Sequence, residues 1–403
     1  MERALDDVRV VDLTFGVPGP FCTKMLAGLG AEVIKVERIG GDPARTMGPF
    51  FHDEPHVEKS ALFLDLNLGK KSMTLDLRSA FGVSVIKELV RSADILIENF
   101  KPGTMARFGL GYETLEKINP RLVMASITNF GQTGPYRDLK ASEIVFYATG
   151  GEMAQTGQPD RQPIRLADYI TLYHAGNLAV SATMLAWYGA RYHGVGQYID
   201  LSIFEAAVGS VDRRMQYITV HAYNGKKFTR EANHNATYPN GVYPCKDGYF
   251  EIAGGGPQFF PRTCAMIGRP ELTKDPRFAG TKELANAERK DEFDAIFLPW
   301  VTEHTMEECL AAAQSARVYG APVMSPANVV HNRHFKEREY FRTVDHPATG
   351  PVLYPGAPFK ATETPWSMDR HAPLLGEHNA EVLTGELGLS TQDLAQLRAQ
   401  GCI

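Results

Sequence analysis

The stretch Val8–Arg38, VRVVDLTFGVPGPFCTKMLAGLGAEVIKVER, decides the architecture. VRVVDLT is β-rich and apolar, which predicts a strand. FGVPGP supplies turn residues. FCTKMLAGLG spaces its apolar residues for a helix, and AEVIKVER predicts a second strand. Strand, turn, helix and strand make a βαβ unit, hence a parallel pair with a right-handed crossover. The pattern then repeats. KSMTLDL leads into the helix GVSVIKELVRSA, and DILIENF and RLVMASITNFG are strands on either side of an expected helix, YETLEKINP. Such alternation predicts the α/β class, with a large Rossmann-like open-sheet domain.

After Tyr223 the character changes. Turn signals at N-G, P-N-G and K-D-G separate short runs, and VYPC and YFEIAG predict a hairpin in a smaller α+β domain. The helices KDEFDAIFLPWV and TMEECLAAAQSA follow. Asn332 to Pro358 is short, polar and strand-like, and STQDLAQLRAQG predicts a terminal helix capped by Ser390. The expected division is residues 1–222, the first part of the large domain; 223–330, the small domain; and 331–403, a linker returning to the large domain.

Bulk properties exclude several classes. With 403 residues, 44% of them apolar and 22% charged, the chain can bury a sizeable core. A net charge of -5 argues against a nucleic-acid surface, which needs a basic excess. Five cysteines, scattered and without C-x-x-C, argue against a disulfide framework or a zinc site and fit a reducing cytoplasm. The charged start, MERALDDV, shows no signal peptide. The one candidate membrane span, Leu172 to Tyr192, holds His174, Asn177, Ser181 and Arg191, so a buried core helix is expected instead. Pro55 breaks helical register between His52 and His56. His331 and His334 lack a third ligand, so no metal is expected.

The candidate site starts at the first βα turn, Gly16 to Pro20. It lacks G-x-G-x-x-G, which excludes a nicotinamide dinucleotide fingerprint. Glu37 ends the next strand, as a ribose-binding acid would. Arg38, Arg45, Arg78 and Arg107 follow strand ends, where an open sheet gathers its loops around one crevice, and guanidinium groups suit phosphate oxygens. Gly254, Gly255 and Gly256 leave backbone N–H groups bare for an oxyanion or a closing loop. In PIRLADYITLYHAG, Asp168 stands at the mouth of a long apolar run. It is either a helix N-cap or a carboxylate kept for chemistry.

These stretches together resemble the class III CoA-transferases, the family that includes formyl-CoA transferase and carnitine CoA-transferase. The resemblance runs through VVDLTFGVPGPFCTKMLAGLGAEVIKVER, GDPAR, SMTLDLRS, ADILIENFKPGTMARFGLGYETL, NPRLVMASITNFGQTGPY, ADYITLYHAGNLAVSATMLAWY, GVGQYIDLSIFEAAV, DGYFEIAGG and PLLGEHNAEVLTGELGLS, nearly the whole chain. It implies a transfer of CoA between carboxylic acids, with acyl-CoA as substrate and no tightly bound cofactor. It implies that Asp168 is a nucleophile forming a mixed anhydride and then an aspartyl-CoA thioester. It implies that Glu143 is an acid near it, that Gly254 to Gly256 are a mobile loop, and that Val17, Arg38, Leu75, Arg78, Asn99, Phe100 and Arg107 lie along bound CoA. Val17 and Ser142 stand where formyl-CoA transferase has a glutamine and a tyrosine, so the acyl pocket is not built for formate and oxalate. The resemblance also implies an interlocked, ring-like homodimer whose large domain uses both ends of the chain.

Two other readings are weighed. An α-methylacyl-CoA racemase of the same superfamily carries a His-Asp pair where this chain has Ser142-Glu143, so its base is missing. A non-catalytic CoA-binding subunit would not need Asp168 or the glycine run. Arg165, Arg213 or Arg214 is a candidate partner for the far carboxylate of a dicarboxylate such as succinate or mesaconate.

Overall fold

The computed structural model describes residues 3–166, 168–208, 213–227, 230 and 237–403, with backbone alone for 213–216, 281 and 287. Its contacts divide the chain into two units, Met1–Arg230 with Glu339–Ile403, and Glu231–Arg338.

The first unit is built on a six-stranded sheet in the order β3-β2-β1-β4-β5-β6. The strands are β1 (Arg9–Leu13), β2 (Glu32–Glu37), β3 (Lys71–Thr74), β4 (Ile95–Glu98), β5 (Val123–Thr128) and β6 (Gln197–Ser202). All pairings are parallel. The helices that place the site are α1 (Pro18–Gly28), α2 (Ala80–Ser92), α3 (Glu143–Thr149) and α4 (Ile170–His193). Of YETLEKINP only Tyr112–Leu115 is helical.

Both faces of the sheet are covered, so its central strands read as continuous apolar runs. Alternate residues divide between two cores. Val10, Val33, Ile95 and Val123 join Cys22, Leu26, Ala175 and Ala179 of α1 and α4. Val11, Ile34, Leu96 and Met124 join Val85, Ile86 and Leu89 of α2 on the other face.

The helix expected to be buried is buried on one face only. Thr171, Ala175, Gly176, Ala179, Thr183, Ala186 and Ala190 of α4 face inward. Leu185, Tyr188 and Tyr192 are 74%, 65% and 76% exposed and look outward, while Leu172, Val180, Met184 and Trp187 are only half-buried against the core. Close packing on α1 requires the small residues. A Cβ on Gly176 would lie 2.8 Å from the Pro18 carbonyl oxygen.

The second unit holds an antiparallel sheet of β7 (Asn240–Cys245), β8 (Gly248–Ala253) and β9 (Tyr319–Pro322), in that order. The expected hairpin is β7–β8. Helices α5 (Gly256–Met266), α6 (Ala287–Glu303) and α7 (Met306–Ala316) pack with it around Tyr238, Tyr243, Phe250, Phe260, Phe278, Phe293 and Phe297. Thr305 and Glu308 form a capping box at the start of α7.

The chain then returns to the first unit. The segment expected to be strand-like begins with a helical turn, Arg333–Glu337, in the second unit, before the hairpin β10 (Phe341–His346) and β11 (Gly350–Pro355). Helices α8 (Asn379–Leu387) and α9 (Thr391–Ala399) place Val382, Leu383 and Leu394 in the core with α2. Asn379 Oδ1 accepts the Thr74 N–H at 2.8 Å, fastening α8 to the end of β3. Ser390 caps α9 as its sequence indicates, with Asp393 completing a capping box.

Candidate functional site

Strand order reverses between β1 and β4, and at such a switch point the loops leaving the carboxyl ends diverge and open a crevice. Phe15 follows β1 and Asn99-Phe100 follows β4. Asn99 Oδ1 accepts the Phe15 N–H at 3.0 Å, and Asn99 Nδ2 donates to the Phe15 carbonyl at 2.7 Å. The reciprocal pair ties the two loops together. The Phe15 and Phe100 rings lie 6.0 Å apart, and both residues line the two lobes of the crevice.

The first lobe, about 520 Å³, has an apolar floor of Leu13, Val36, Leu75, Leu77 and Phe108. Arg38 and Arg78 stand among its lining residues. Arg38 donates through Nε to the Gly41 carbonyl at 2.8 Å, and Arg78 pairs with Asp76 at 2.9 Å. Arg107 lines neither lobe. It ends the short helix Thr104–Arg107, where its Nη2 donates to Thr104 Oγ1 at 2.9 Å.

Two sequence expectations are corrected here. Arg45 is fully buried and binds Glu37 bidentately, Nε to Oε2 at 2.7 Å and Nη2 to Oε1 at 2.8 Å. Its Nη1 reaches Glu58 at 2.6 Å and its guanidinium carbon stands 3.6 Å from the centre of the Phe63 ring. Arg45 is therefore not a free phosphate ligand, and Glu37 is not a free ribose acid. Burial alone would push the Glu37 carboxyl up; the Arg45 guanidinium, Lys35 and the Ser72 hydroxyl outweigh it and hold the acid below its usual range.

The same buried network supports the first turn. Lys35 pairs with Asp42 at 2.9 Å and donates to the Thr14 carbonyl at 2.9 Å. Asp42 Oδ1 accepts the Gly16 N–H at 3.1 Å, where Gly16 takes a φ of +75° that favours glycine. Asp12 accepts from Thr23 at 2.6 Å and Lys70 at 3.1 Å. Burial raises Asp12, but Lys70 and Lys35 outweigh it and hold the carboxyl at about 2. Burial lowers Lys70 to about 8 against the pull of Asp12. Glu98, at the end of β4, accepts the Phe100 N–H at 2.7 Å and the Ser126 hydroxyl. Burial pushes its carboxyl up to about 7, and the charge of Asp200 adds to the rise.

The second lobe, about 530 Å³, runs from Phe15, Val17, Asn99 and Phe100 to Ser142, Phe146, Tyr169 and Leu172. Lys101, Arg137 and Lys140 are also among its lining residues. Tyr169 directly follows Asp168 and holds a left-handed φ of 67°, uncommon for a tyrosine. Asp168 is not the cap of α4. That position belongs to Tyr169, which makes no side-chain cap bond. The capping is done by Glu143, whose Oε1 accepts the Thr171 N–H at 2.8 Å and whose Oε2 accepts the Leu172 N–H at 3.1 Å.

Asp168 is thereby left free of a capping role. Its side chain is 65% exposed and pairs with Arg165 Nη1 at 2.5 Å. Local spacing, with Arg165 three residues before it, is the one sequence signal for that pair. Arg213 and Arg214 have side chains outside the described residues. In the second unit, Gly254 and Gly255 are buried and pressed by neighbours: added Cβ atoms would lie 2.5 Å from Thr263 Oγ1 and 2.8 Å from the Thr237 carbonyl carbon. The Gly254 N–H is already donated to Pro239 O at 2.8 Å, and the Gly255 N–H to Asn240 Oδ1 at 3.4 Å, so these two are not bare. Gly256 opens α5 with a φ of +84°.

Among the described residues no three His, Cys, Asp or Glu side chains are grouped to hold a metal. No helix among them is long and apolar enough to cross a membrane.

Residues 5–379 match the sequence profile of CoA-transferase family III. The chain belongs to that family. This CoA-transferase is 34% identical over 406 residues to succinyl-CoA–D-citramalate CoA-transferase of Chloroflexus aurantiacus, covering 100% of this chain and 98% of the relative. It is 36% identical over 396 residues to succinyl-CoA:mesaconate CoA-transferase of Haloarcula hispanica, covering 96% and 97% of the two chains. The crystal structure of a CAIB/BAIF family protein from Brucella suis superposes with a TM-score of 0.85 at 31% identity, covering 96% of this chain and 100% of that one. The α/β fold is thus that of the family. The protein is an enzyme that moves CoA between acids and takes CoA thioesters as substrates.

Proposed function

We propose that this CoA-transferase exchanges CoA between dicarboxylic acids through covalent acylation of Asp168. The observation that carries the reading is the setting of Asp168: an accessible carboxylate beside Tyr169, which lines the second lobe, with the helix cap supplied by Glu143 instead. A carboxylate nucleophile carries no proton to be removed as it attacks, so it needs no general base.

In this reading the CoA nucleotide occupies the first lobe, with Arg38 and Arg78 toward its phosphates, and the pantetheine arm passes Phe15 and Phe100 into the second. Arg107 joins from the rim. An Asp168 oxygen attacks the thioester carbonyl, the C–S bond breaks and CoA leaves as thiolate. The thiolate attacks the Asp168 carbonyl of the mixed anhydride, freeing the donor acid and leaving aspartyl-CoA. The acceptor carboxylate attacks that thioester, and the thiolate leaves again. It then attacks the acceptor's acyl carbon, and the Asp168 carboxylate departs. Both anhydrides hydrolyse readily, so a site closed from water is required.

Dicarboxylates are favoured by the activities for which the relatives are named, with citramalate and mesaconate as acids and succinyl-CoA as donor. Val17 and Ser142 line the second lobe, which supports acyl groups larger than formyl. Exchange between the two ends of one branched dicarboxylate fits the same chemistry. The outward Leu185, Tyr188 and Tyr192 of α4 support burial against a second copy, as the interlocked homodimer requires. Five free cysteines suit a reducing cytoplasm. A racemase is disfavoured because Glu143 is engaged as a cap and no histidine precedes it. The test is a panel of mono- and dicarboxylates with succinyl-CoA, alongside α-hydrogen exchange in heavy water. Transfer to dicarboxylates without hydrogen exchange is expected; hydrogen exchange without transfer would sink the proposal.

A further inference from the structure

The reaction proposed above contains one mobile negative charge. It begins on Asp168, passes to the CoA thiolate and leaves with the released acid; the incoming acid brings in its replacement, which passes to the thiolate as the second anhydride forms and finally returns to Asp168. At each stage one anion exists among the reacting groups and the others are neutral acyl carbons. A fixed cation beside this path would therefore always have one partner, but not always the same one.

We infer that Arg165 is that cation: it holds Asp168 in the resting enzyme and, once Asp168 is acylated, receives the reacting carboxylate of the incoming acid. The inference rests on the proposed role of Asp168 as nucleophile. Arg165 Nη1 lies 2.5 Å from Asp168 Oδ1, and among the described residues it is the one cation within ion-pair distance of that carboxylate. Both side chains are largely accessible, 48% and 65%, so the pair contributes little to folding and can open without disturbing a core. The backbone at position 168 does not depend on the pair, because Glu143 holds the following turn through Thr171 and Leu172. The carboxylate of Asp168 can therefore lose its charge to acylation while its position is kept. Arg165 then faces the reacting atoms with its donors unpaired. A guanidinium in that position matches an incoming carboxylate in charge and in planar geometry. This assignment differs from recognition of a far carboxylate, since it concerns the carboxyl group that reacts. It also imposes an order: the acceptor acid binds well only after Asp168 has been consumed, which suppresses a futile complex of free acid with the resting enzyme.

The test compares the full-length enzyme with Arg165→Gln and Arg165→Lys, using succinyl-CoA and labelled succinate. Hydroxylamine trapping of residue 168 by succinyl-CoA alone reads the first half-reaction, and exchange of label from succinate into succinyl-CoA reads the second. Thermal melting confirms that each variant is folded. The expected result is trapping within about threefold of the parent in Arg165→Gln. The KM for succinate rises roughly 10- to 100-fold, the worth of one charge-assisted hydrogen bond, and Arg165→Lys recovers part of it. An unchanged KM for succinate, or equal loss of trapping and exchange in a folded Arg165→Gln, overturns the inference while leaving Asp168 as nucleophile. Absence of any adduct at residue 168 in the parent enzyme removes the underlying reading instead.

Discussion

Glu143 caps the helix that follows Asp168, although 25 residues separate the two acids in sequence. Its two carboxylate oxygens take the N–H groups of Thr171 and Leu172, at 2.8 and 3.1 Å. The acid is buried and anionic groups are favoured at a helix N-terminus. Glu143→Ala should therefore cost about 1–2 kcal/mol of stability, as lost caps do, and lower kcat more than it raises the KM for acyl-CoA. Glu143→Gln keeps acceptor oxygen and should recover much of both. Urea denaturation and steady-state kinetics check the pair; a larger effect on KM than on kcat would contradict the positioning role.

Asn99 ties the loops of β1 and β4 by giving and taking a hydrogen bond with Phe15. Asn99→Ala should raise the KM for acyl-CoA by roughly tenfold, as two neutral hydrogen bonds would allow, with adduct formation at saturating substrate intact. A fall in saturated rate with unaltered KM would place Asn99 in the chemistry instead.

Arg38, Arg78 and Arg45 follow strand ends alike but should separate by experiment. Arg38→Ala and Arg78→Ala should weaken CoA binding by roughly tenfold each at low salt, less at high salt, with stability unchanged. Arg45→Met should cost about 3–5 kcal/mol of stability, because Glu37 and Glu58 would lose their buried partner. Calorimetric titration with CoA and denaturant melts distinguish the two classes.

The Glu98 carboxyl gives a pH signature. Burial raises it from 4.5 to about 7, so the folded protein holds this proton more tightly than the unfolded chain does. Its stabilising contribution is full below pH 4.5 and is lost as pH rises through 7, an effect of about 3 kcal/mol by linkage. Glu98→Gln should flatten that part of the stability curve and make the variant the more stable form above pH 7. Denaturant melts across the range measure it. A parallel shift of the whole curve would contradict the cause.

The sequence revealed the strands that carry both lobes because they are buried on two faces and hence unbroken apolar runs. Loops after parallel strands gather at one edge, which pointed to Arg38 and Arg78 among the crevice residues but also to Arg107, which lines neither lobe; Val17, Leu75, Asn99 and Phe100 were indicated only by the family resemblance. The sequence misled at Arg45 and Glu37, since the closing contacts with Glu58 and Phe63 form only in the fold. It misled at α4 too: packing distance against α1 puts alanine and glycine inside, whereas composition draws the eye to leucine and tyrosine. The cap on α4 was unreadable locally, because the acid that makes it comes from another helix.

The central claim, covalent use of Asp168, is tested most directly by oxygen transfer. When the acceptor carboxylate attacks aspartyl-CoA, its own oxygen bridges the anhydride and departs with Asp168 as CoA takes the acyl carbon. After turnover with succinyl-CoA and an acid labelled with heavy oxygen, the peptide containing Asp168 should carry the label, and no other peptide should. An unlabelled Asp168 after many turnovers, with acyl-CoA product formed at the normal rate, would contradict the account.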